Sequence, residues 1–226
     1  MIPRLILLPA LLLVCSTQAQ WGVHAILPRF ERVFADKSTD GFRSPTDQIQ
    51  RIAVGYGLGL SVDVSPYSAI GLDLTLRSDI SGSDGVTNNI RYGSQSFSYG
   101  DKAFAASAIL HSSYFFLGNR EASPYLGPFL GIRYARRTLV KGSGDWSDGK
   151  AVAPSLETSR LLMPIGLRAG FRGDLRGAYA DVHFMLGYQV GGATALFDEV
   201  YLSSLRAAGF IYGFGLSIGG GKDPRK

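Results

Sequence analysis

His111 and Ser113 stand two residues apart, and Asp181 and His183 repeat that spacing. On a strand, residues i and i+2 share a face, so each pair would present two polar groups side by side. A serine within hydrogen-bond reach of a histidine, with an acid behind it, is the equipment of nucleophilic catalysis. The position of the pairs argues against that use. Both fall away from the long connections, and His111 and Ser113 lie near the short-turn end of their strand. A hydrogen-bonding role in an interior is the simpler reading. Zinc spacing is absent, because His24, His111 and His183 are far apart and the one cysteine is Cys15. The glycines sit inside strand patterns and open no helix, so none forms a phosphate cradle. Asp84, Asn88 and Asn89 lack the spacing of a calcium-binding loop and read as solvated loop residues. No cofactor, no metal and no enzymatic activity is expected.

The elements that must carry these residues are strands. The stretch from Arg51 to Asp79 shows this best. Ile52, Val54, Tyr56, Leu58, Leu60, Val62 and Val64 alternate with Ala53, Gly55, Gly57, Gly59, Ser61 and Asp63. After a Ser65-Pro66-Tyr67-Ser68 turn, Ile70, Leu72, Leu74 and Leu76 alternate with Gly71, Asp73, Thr75 and Arg77. This is a hairpin with one large apolar face and one small or polar face. Each strand reaches the roughly 9–11 residues that cross a bilayer at a tilt.

The same unit recurs along the chain. A first strand over 21–34 is irregular, with His24, Ile26, Pro28 and Phe30 on one face against Ala25, Leu27, Arg29 and Glu31. Pro28 has no ladder donor and requires a bulge or an unpaired position. A polar loop over 35–48 precedes the hairpin, and a long Gly, Ser and Asn loop over 81–101 follows it. The fourth strand, 102–116, sets Phe104, Ala106, Ala108, Leu110, Tyr114 and Phe116 against Ala105, Ser107, His111 and Ser113. A fifth, 125–140, sets Leu126, Leu130, Ile132 and Tyr134 against Gly127, Gly131, Arg133 and Arg137. Beyond a loop over 141–159, a sixth strand over 160–172 sets Leu161, Met163, Ile165, Leu167 and Phe171 against Gly166, Arg168 and Gly170. The seventh, 178–190, sets Val182, Phe184, Leu186 and Tyr188 against Tyr179, Asp181, His183 and Gln189. After a loop over 191–204, the eighth, 205–219, sets Ala208, Phe210, Tyr212, Phe214, Leu216 and Ile218 against Gly209, Gly213, Gly215 and Ser217.

The strand count is even and the connections alternate long and short. An all-β, eight-stranded antiparallel up-and-down barrel produces both features, with both termini at the short-turn end. In a soluble sandwich, turn lengths have no reason to alternate so strictly. The second face is mostly Gly, Ala and Ser with scattered single charges, which suits a cramped eight-stranded interior better than a wetted exterior. The expected exterior is therefore the apolar face, and it faces lipid through Ile52, Val54, Leu58, Leu60, Leu72, Leu74, Leu130, Ile132, Ile165, Leu167, Phe184, Leu186, Phe214 and Leu216. Phe34, Tyr56, Tyr114, Phe116, Tyr134, Phe171 and Tyr188 are candidates for interfacial girdles. Arg29, Glu31, Asp63, Asp73, Arg77, Arg133, Arg137, Arg168, Asp181 and His183 then share the lumen. Unpaired, each charge would cost several kcal/mol, so a salt-bridged plug without a wide pore is expected. A narrow pore for small solutes, a lipid-modifying enzyme and a soluble lipocalin-like barrel are the alternatives.

The N-terminus reads differently. Met1 to Arg4 is a short positive region, Leu5 to Val14 is apolar, and Thr17-Gln18-Ala19 is a small-x-small cleavage site. Residues 1–19 are thus expected to be a signal peptide, 20–219 a barrel and 220–226 a polar basic tail. Cys15 would leave with the signal. The alternative, acylation of Cys15, lacks the small residue wanted just before the cysteine. The chain is basic, with formal net charge +5. Acids on the long loops offset their cations, and the excess falls on Arg172, Arg176, Lys222, Arg225 and Lys226. There is no basic stripe with interleaved aromatics, so no nucleic-acid partner is expected.

Three segments carry a resemblance. They are Ser123-Pro124-Tyr125-Leu126-Gly127, Tyr56-Gly57-Leu58-Gly59-Leu60 and Phe210-Ile211-Tyr212-Gly213-Phe214-Gly215-Leu216. With them the chain resembles the small outer-membrane β-barrel family, of the OmpX type and of the OmpA transmembrane domain. The resemblance spans nearly all of the chain after residue 19. It implies a porin-like barrel in the Gram-negative cell envelope, monomeric and located in the bacterial outer membrane. Its expected partners are outer-membrane lipid, lipopolysaccharide and, during insertion, the barrel-assembly machinery. Structural or surface-interaction roles would be carried by four long extracellular loops. The chain departs from the family at its end, where a Gly-rich polar tail replaces the terminal aromatic residue that assembly machinery reads, so any assembly signal would be internal.

Overall fold

The computed structural model describes residues 20–37, 48–79, 87–92, 95–118, 122–141, 155–174, 178–192 and 206–221. The expected signal peptide, the tail beyond Gly221 and most of the long-loop residues lie outside these. The described strands are β1 (Gln20–Lys37), β2 (Gln48–Ser65), β3 (Ser68–Asp79), β4 (Thr87–Tyr92), β5 (Gln95–Phe115), β6 (Ser123–Lys141), β7 (Ser155–Asp174), β8 (Ala178–Val190) and β9 (Phe210–Gly221). Neighbours pair antiparallel in the order β3-β2-β1-β9-β8-β7-β6-β5, and β3 pairs β5. That last pairing closes the sheet into an eight-stranded up-and-down barrel. β4 stands outside the count and pairs with the outer part of β5 in register, Thr87 opposite Gly100 and Tyr92 opposite Gln95.

The alternation does what the periodicity predicts. Trp21, Leu58, Leu74, Ile132, Leu161, Leu167, Phe184 and Phe214 are exposed on the outside. Arg29, Asp73, Arg77, Arg133, Arg137 and His183 are buried inside. Closure pairs the sheet edges, so the backbone is satisfied without solvent.

Four expectations need correction. First, the two faces of the first strand are not continuous. The pairing register shifts between Ile26 and Arg29 against both β2 and β9. The bulge at Leu27-Pro28 adds one residue and reverses the alternation. His24 and Ile26 therefore share the interior with Arg29 and Glu31, not the exterior with Phe30. Second, part of the long loop over 81–101 is a hairpin, β4 with the first turn-proximal residues of β5. Its β4 strand is only six residues long and set among Gly, Ser and Asn, so the short alternation of Ile90 and Tyr92, and of Phe97 and Tyr99 on the partner strand, reads as loop from the sequence. Third, the closing strand starts at Phe210, not Leu205, and runs through Gly220 and Gly221, which pair with Val23 and Gly22. Ala208 is buried, not outward, and its N–H donates to the Val33 carbonyl at 2.9 Å. Fourth, Phe34 is 2% exposed and belongs to no girdle. Its ring lies 5.7 Å from the Arg137 guanidinium, a cation–π contact.

Candidate functional site, an ion-paired interior

The barrel interior is built by strands that are two apart, meeting over a glycine on the strand between them. His24 on β1 and Asp73 on β3 are both cross-strand neighbours of Gly59 on β2. A Cβ at position 59 would lie 2.0 Å from His24 Nε2 and 2.7 Å from Asp73 Oδ1. Without it, the imidazole reaches across the strand, and its Nε2–H donates to Asp73 Oδ1 at 2.8 Å. Gly55, opposite Arg77 on β3 and Arg29 on β1, gives way to the Arg77 side chain in the same manner, with a Cβ there meeting Arg77 Cγ at 2.5 Å. Gly170 on β7 lets the Tyr125 hydroxyl of β6 donate to Asp181 Oδ1 of β8 at 3.1 Å. Strand glycines that look like lost packing are thus the openings through which long polar side chains meet.

Two polar tiers result. The one nearer the short turns centres on Asp73, which is fully buried. Its Oδ1 accepts from His24 and from His111 Nε2 at 3.3 Å, and its Oδ2 from Arg29 at 3.3 Å and Arg168 at 3.4 Å. Arg168 also donates through Nε to the Tyr125 hydroxyl at 3.0 Å and through Nη2 to Asp181 at 3.0 Å. His183 Nδ1 lies 2.7 Å from Asp181 Oδ1, so that nitrogen carries the proton. The 3.1 Å approach of Arg168 Nη2 to the same nitrogen is then a contact between two donors, not a hydrogen bond. His24 Nδ1 accepts from the Tyr179 hydroxyl at 2.9 Å. All three histidines of the chain fall in this tier. Towards the turns, Arg172 stacks 3.8 Å over the Tyr179 ring and makes a 3.5 Å ion pair with Asp63. A cavity of about 30 Å³, lined in part by His24, His111, Arg168, Arg172 and Tyr179, remains there; it has room for about two waters.

The second tier, nearer the long loops, centres on Glu31. It is ion-paired with Arg133 and, at 2.7 Å, with Arg77. Ser107 Oγ accepts from Arg77 at 2.6 Å and from Arg133 Nε at 3.0 Å. Arg133 also donates to Gln189 Oε1 at 2.6 Å, and Gln189 Nε2 donates to the Ala208 carbonyl at 2.8 Å. Alongside these contacts, Ile109, Phe129, Met185 and Ile211 form an apolar cluster with Ala208. Arg29 joins the two sets, contacting Met185 of the cluster as well as Asp73.

Ten lumen residues were named from the sequence. Arg29, Glu31, Asp73, Arg77, Arg133, Arg137, Arg168, Asp181 and His183 are buried in the interior, and Asp63 is half-buried at its turn end. Sequence reasoning missed His24, because the bulge reassigned its face, and Tyr125; it placed Ser107, Tyr179 and Gln189 on the inner face but left them out of the network, because they carry no charge. The adjacent glycines were the available signal. His111 is bonded to Asp73, and no hydrogen bond joins it to Ser113 among the described residues. The fourteen apolar residues expected on the lipid side point outward; Val54 and Leu216 are half-buried and the rest exposed.

No known sequence family and no curated protein sequence matches the chain. Among solved structures it is similar to Ail, the attachment invasion locus protein of Yersinia pestis, determined with the heparin analogue sucrose octasulfate. Identity is 11%, coverage is 90% of this chain and 99% of Ail, and the TM-score is 0.46. Neisserial surface protein A is similar at 11% identity, with 88% of this chain and 96% of that one covered and a TM-score of 0.48. The N-terminal β-barrel domain of Pseudomonas aeruginosa OprF is similar at 13% identity, with 89% and 99% covered and a TM-score of 0.37.

Proposed function

We propose that the protein is a monomeric bacterial outer-membrane barrel that acts as an envelope scaffold, with surface interaction carried by its long loops. One observation carries this reading: the exterior is a continuous belt of large apolar side chains around a polar, ion-paired interior. Soluble monomers rarely expose apolar patches beyond a few hundred Å². Here every barrel strand contributes exposed Leu, Ile, Val, Phe, Tyr or Trp. Lipid is the solvent that suits such a wall, and a closed barrel is the one β architecture with no edge to satisfy. The same belt disfavours a soluble binding barrel, which would turn its greasy face inward.

The lumen supports a plug and not a wide pore. Arginine–carboxylate contacts and an apolar cluster occupy the interior, which supports this reading of an eight-stranded lumen. The barrel is non-enzymatic in this reading, with His111 engaged by Asp73. Fractionation of a tagged protein, with gel migration compared before and after heating, tests the assignment. Outer-membrane recovery with heat-modifiable migration is expected. A protein that stays soluble without detergent would reverse the faces, and a large, stable single-channel conductance would remove the plug.

A further inference from the structure

The outer wall of β5, β6 and β7 changes character at one level. From Ala106 to Phe116, from Pro124 to Tyr134 and from Leu161 to Phe171, the outward positions carry no charge. Immediately above stand Lys102 on β5 and Arg136 on β6, both exposed. The pairing fixes their neighbourhood. Arg136 is opposite Phe104 on one side and Ser159 on the other, while Lys102 is opposite Thr138, the next outward position. The row below is Tyr134 with Leu161 beside it. Two cations thus crown an apolar, partly aromatic wall. Among the described residues, Arg136 meets one acid, its Nη2 contacting Glu157 Oε2 at 2.6 Å with both side chains about half exposed (48% and 50%).

This inference rests on the outer wall facing lipid. We propose that Lys102 and Arg136 form a docking site for the phosphorylated, anionic headgroup of a lipid whose chains lie against Phe104, Tyr134 and Leu161. The height is right, because a headgroup begins where the apolar wall ends. The chemistry is right too. Guanidinium N–H groups match phosphate oxygens in a fork, and a neighbouring ammonium adds a point charge. Counting Lys102, Arg136 and Glu157, the patch carries net charge +1. A solvent-exposed ion pair such as Arg136–Glu157 is weak, so a phosphate can displace the carboxylate. The surface is continuous with the lipid-facing belt, so the occupant is a membrane lipid and not a soluble phosphate.

The test uses the full chain folded in zwitterionic detergent, titrated with diphosphoryl lipid A or its dephosphorylated form. Native mass spectrometry reads the lipid retained. The phosphorylated form should be held more tightly. Lys102→Gln and Arg136→Gln should each weaken it about fivefold, the effect of one charge near an anionic membrane surface. Arg136→Lys should recover most of the loss. Glu157→Gln should move the other way, because it frees Arg136. Equal retention of both lipid forms, or no effect of the two Gln variants, by a barrel that still shows heat-modifiable migration would overturn the site and leave the lipid-facing wall intact. A chain that needs no detergent would defeat the wall itself, and the docking site with it.

Discussion

Replacing Asp73 by Asn keeps the size of the side chain and removes its charge. In the folded barrel four donors converge on this carboxylate, two imidazoles on Oδ1 and two guanidiniums on Oδ2. An amide has one acceptor oxygen and one NH₂ group. Turned towards the guanidiniums, the NH₂ faces two donors; turned towards the imidazoles, it leaves one oxygen for both arginines but no charge to neutralise them. Arg168 keeps Asp181 at 3.0 Å. Arg29 loses its one direct carboxylate contact among the described residues and is left as a buried charge against Met185. Stranding one partner of a buried ion pair costs about 3–5 kcal/mol, which is roughly two to three and a half decades in the folding equilibrium. Urea unfolding from lipid vesicles, followed by tryptophan fluorescence and gel migration, measures it. Arg136→Gln is the internal comparison, since its pair with Glu157 stands in the open, and its midpoint should not move. A loss for Asp73→Asn below about 1 kcal/mol would place the interior in the regime of solvent-screened surface pairs. The two-tier plug would then be wrong.

Three further outcomes follow from the same geometry. Gly59→Ala puts a Cβ into the His24–Asp73 contact and should cost about 1–3 kcal/mol in the same unfolding assay, whereas Gly173→Ala, with nothing within 4 Å of the added carbon, should be neutral. Leu58→Arg, at the middle of the outward row of β2, should cost about 2–4 kcal/mol in vesicles; a neutral result would mean that this wall does not meet hydrocarbon. The double variant His111→Gln with Ser113→Ala should leave the lipid A profile of a producing strain unchanged by mass spectrometry, and a changed profile would reopen the enzymatic reading.

The barrel was readable in the residues because strand periodicity is local. Leu58 and Leu60 against Gly57 and Gly59 declare two faces without reference to anything distant. Alternating connection lengths then order the strands. Pro28 announced its bulge, since a residue without an N–H cannot continue a ladder. What the bulge did to His24 was not readable, because one inserted residue reverses every face beyond it and nothing local counts the insertion. β4 escaped for a different reason, being six residues long and set among Gly, Ser and Asn that read as loop. Phe34 looked like a girdle aromatic by type and position and is instead covered at the loop end, beside Ala207, with which it forms an isolated bridge.

By itself the sequence determined which side chains face in and which face out wherever the ladders are regular, outside the β1 bulge and the approach to β9, and that the interior must hold its charges in pairs. Only the tertiary structure decided who pairs with whom. Asp73 chose His24, His111, Arg29 and Arg168, residues 38 to 95 positions away. Those choices depend on the register between strands, on closure of β3 onto β5, and on glycines that open a path over the intervening strand. Each is a relation between distant segments, fixed by the simultaneous packing of all eight strands, and no local pattern encodes it.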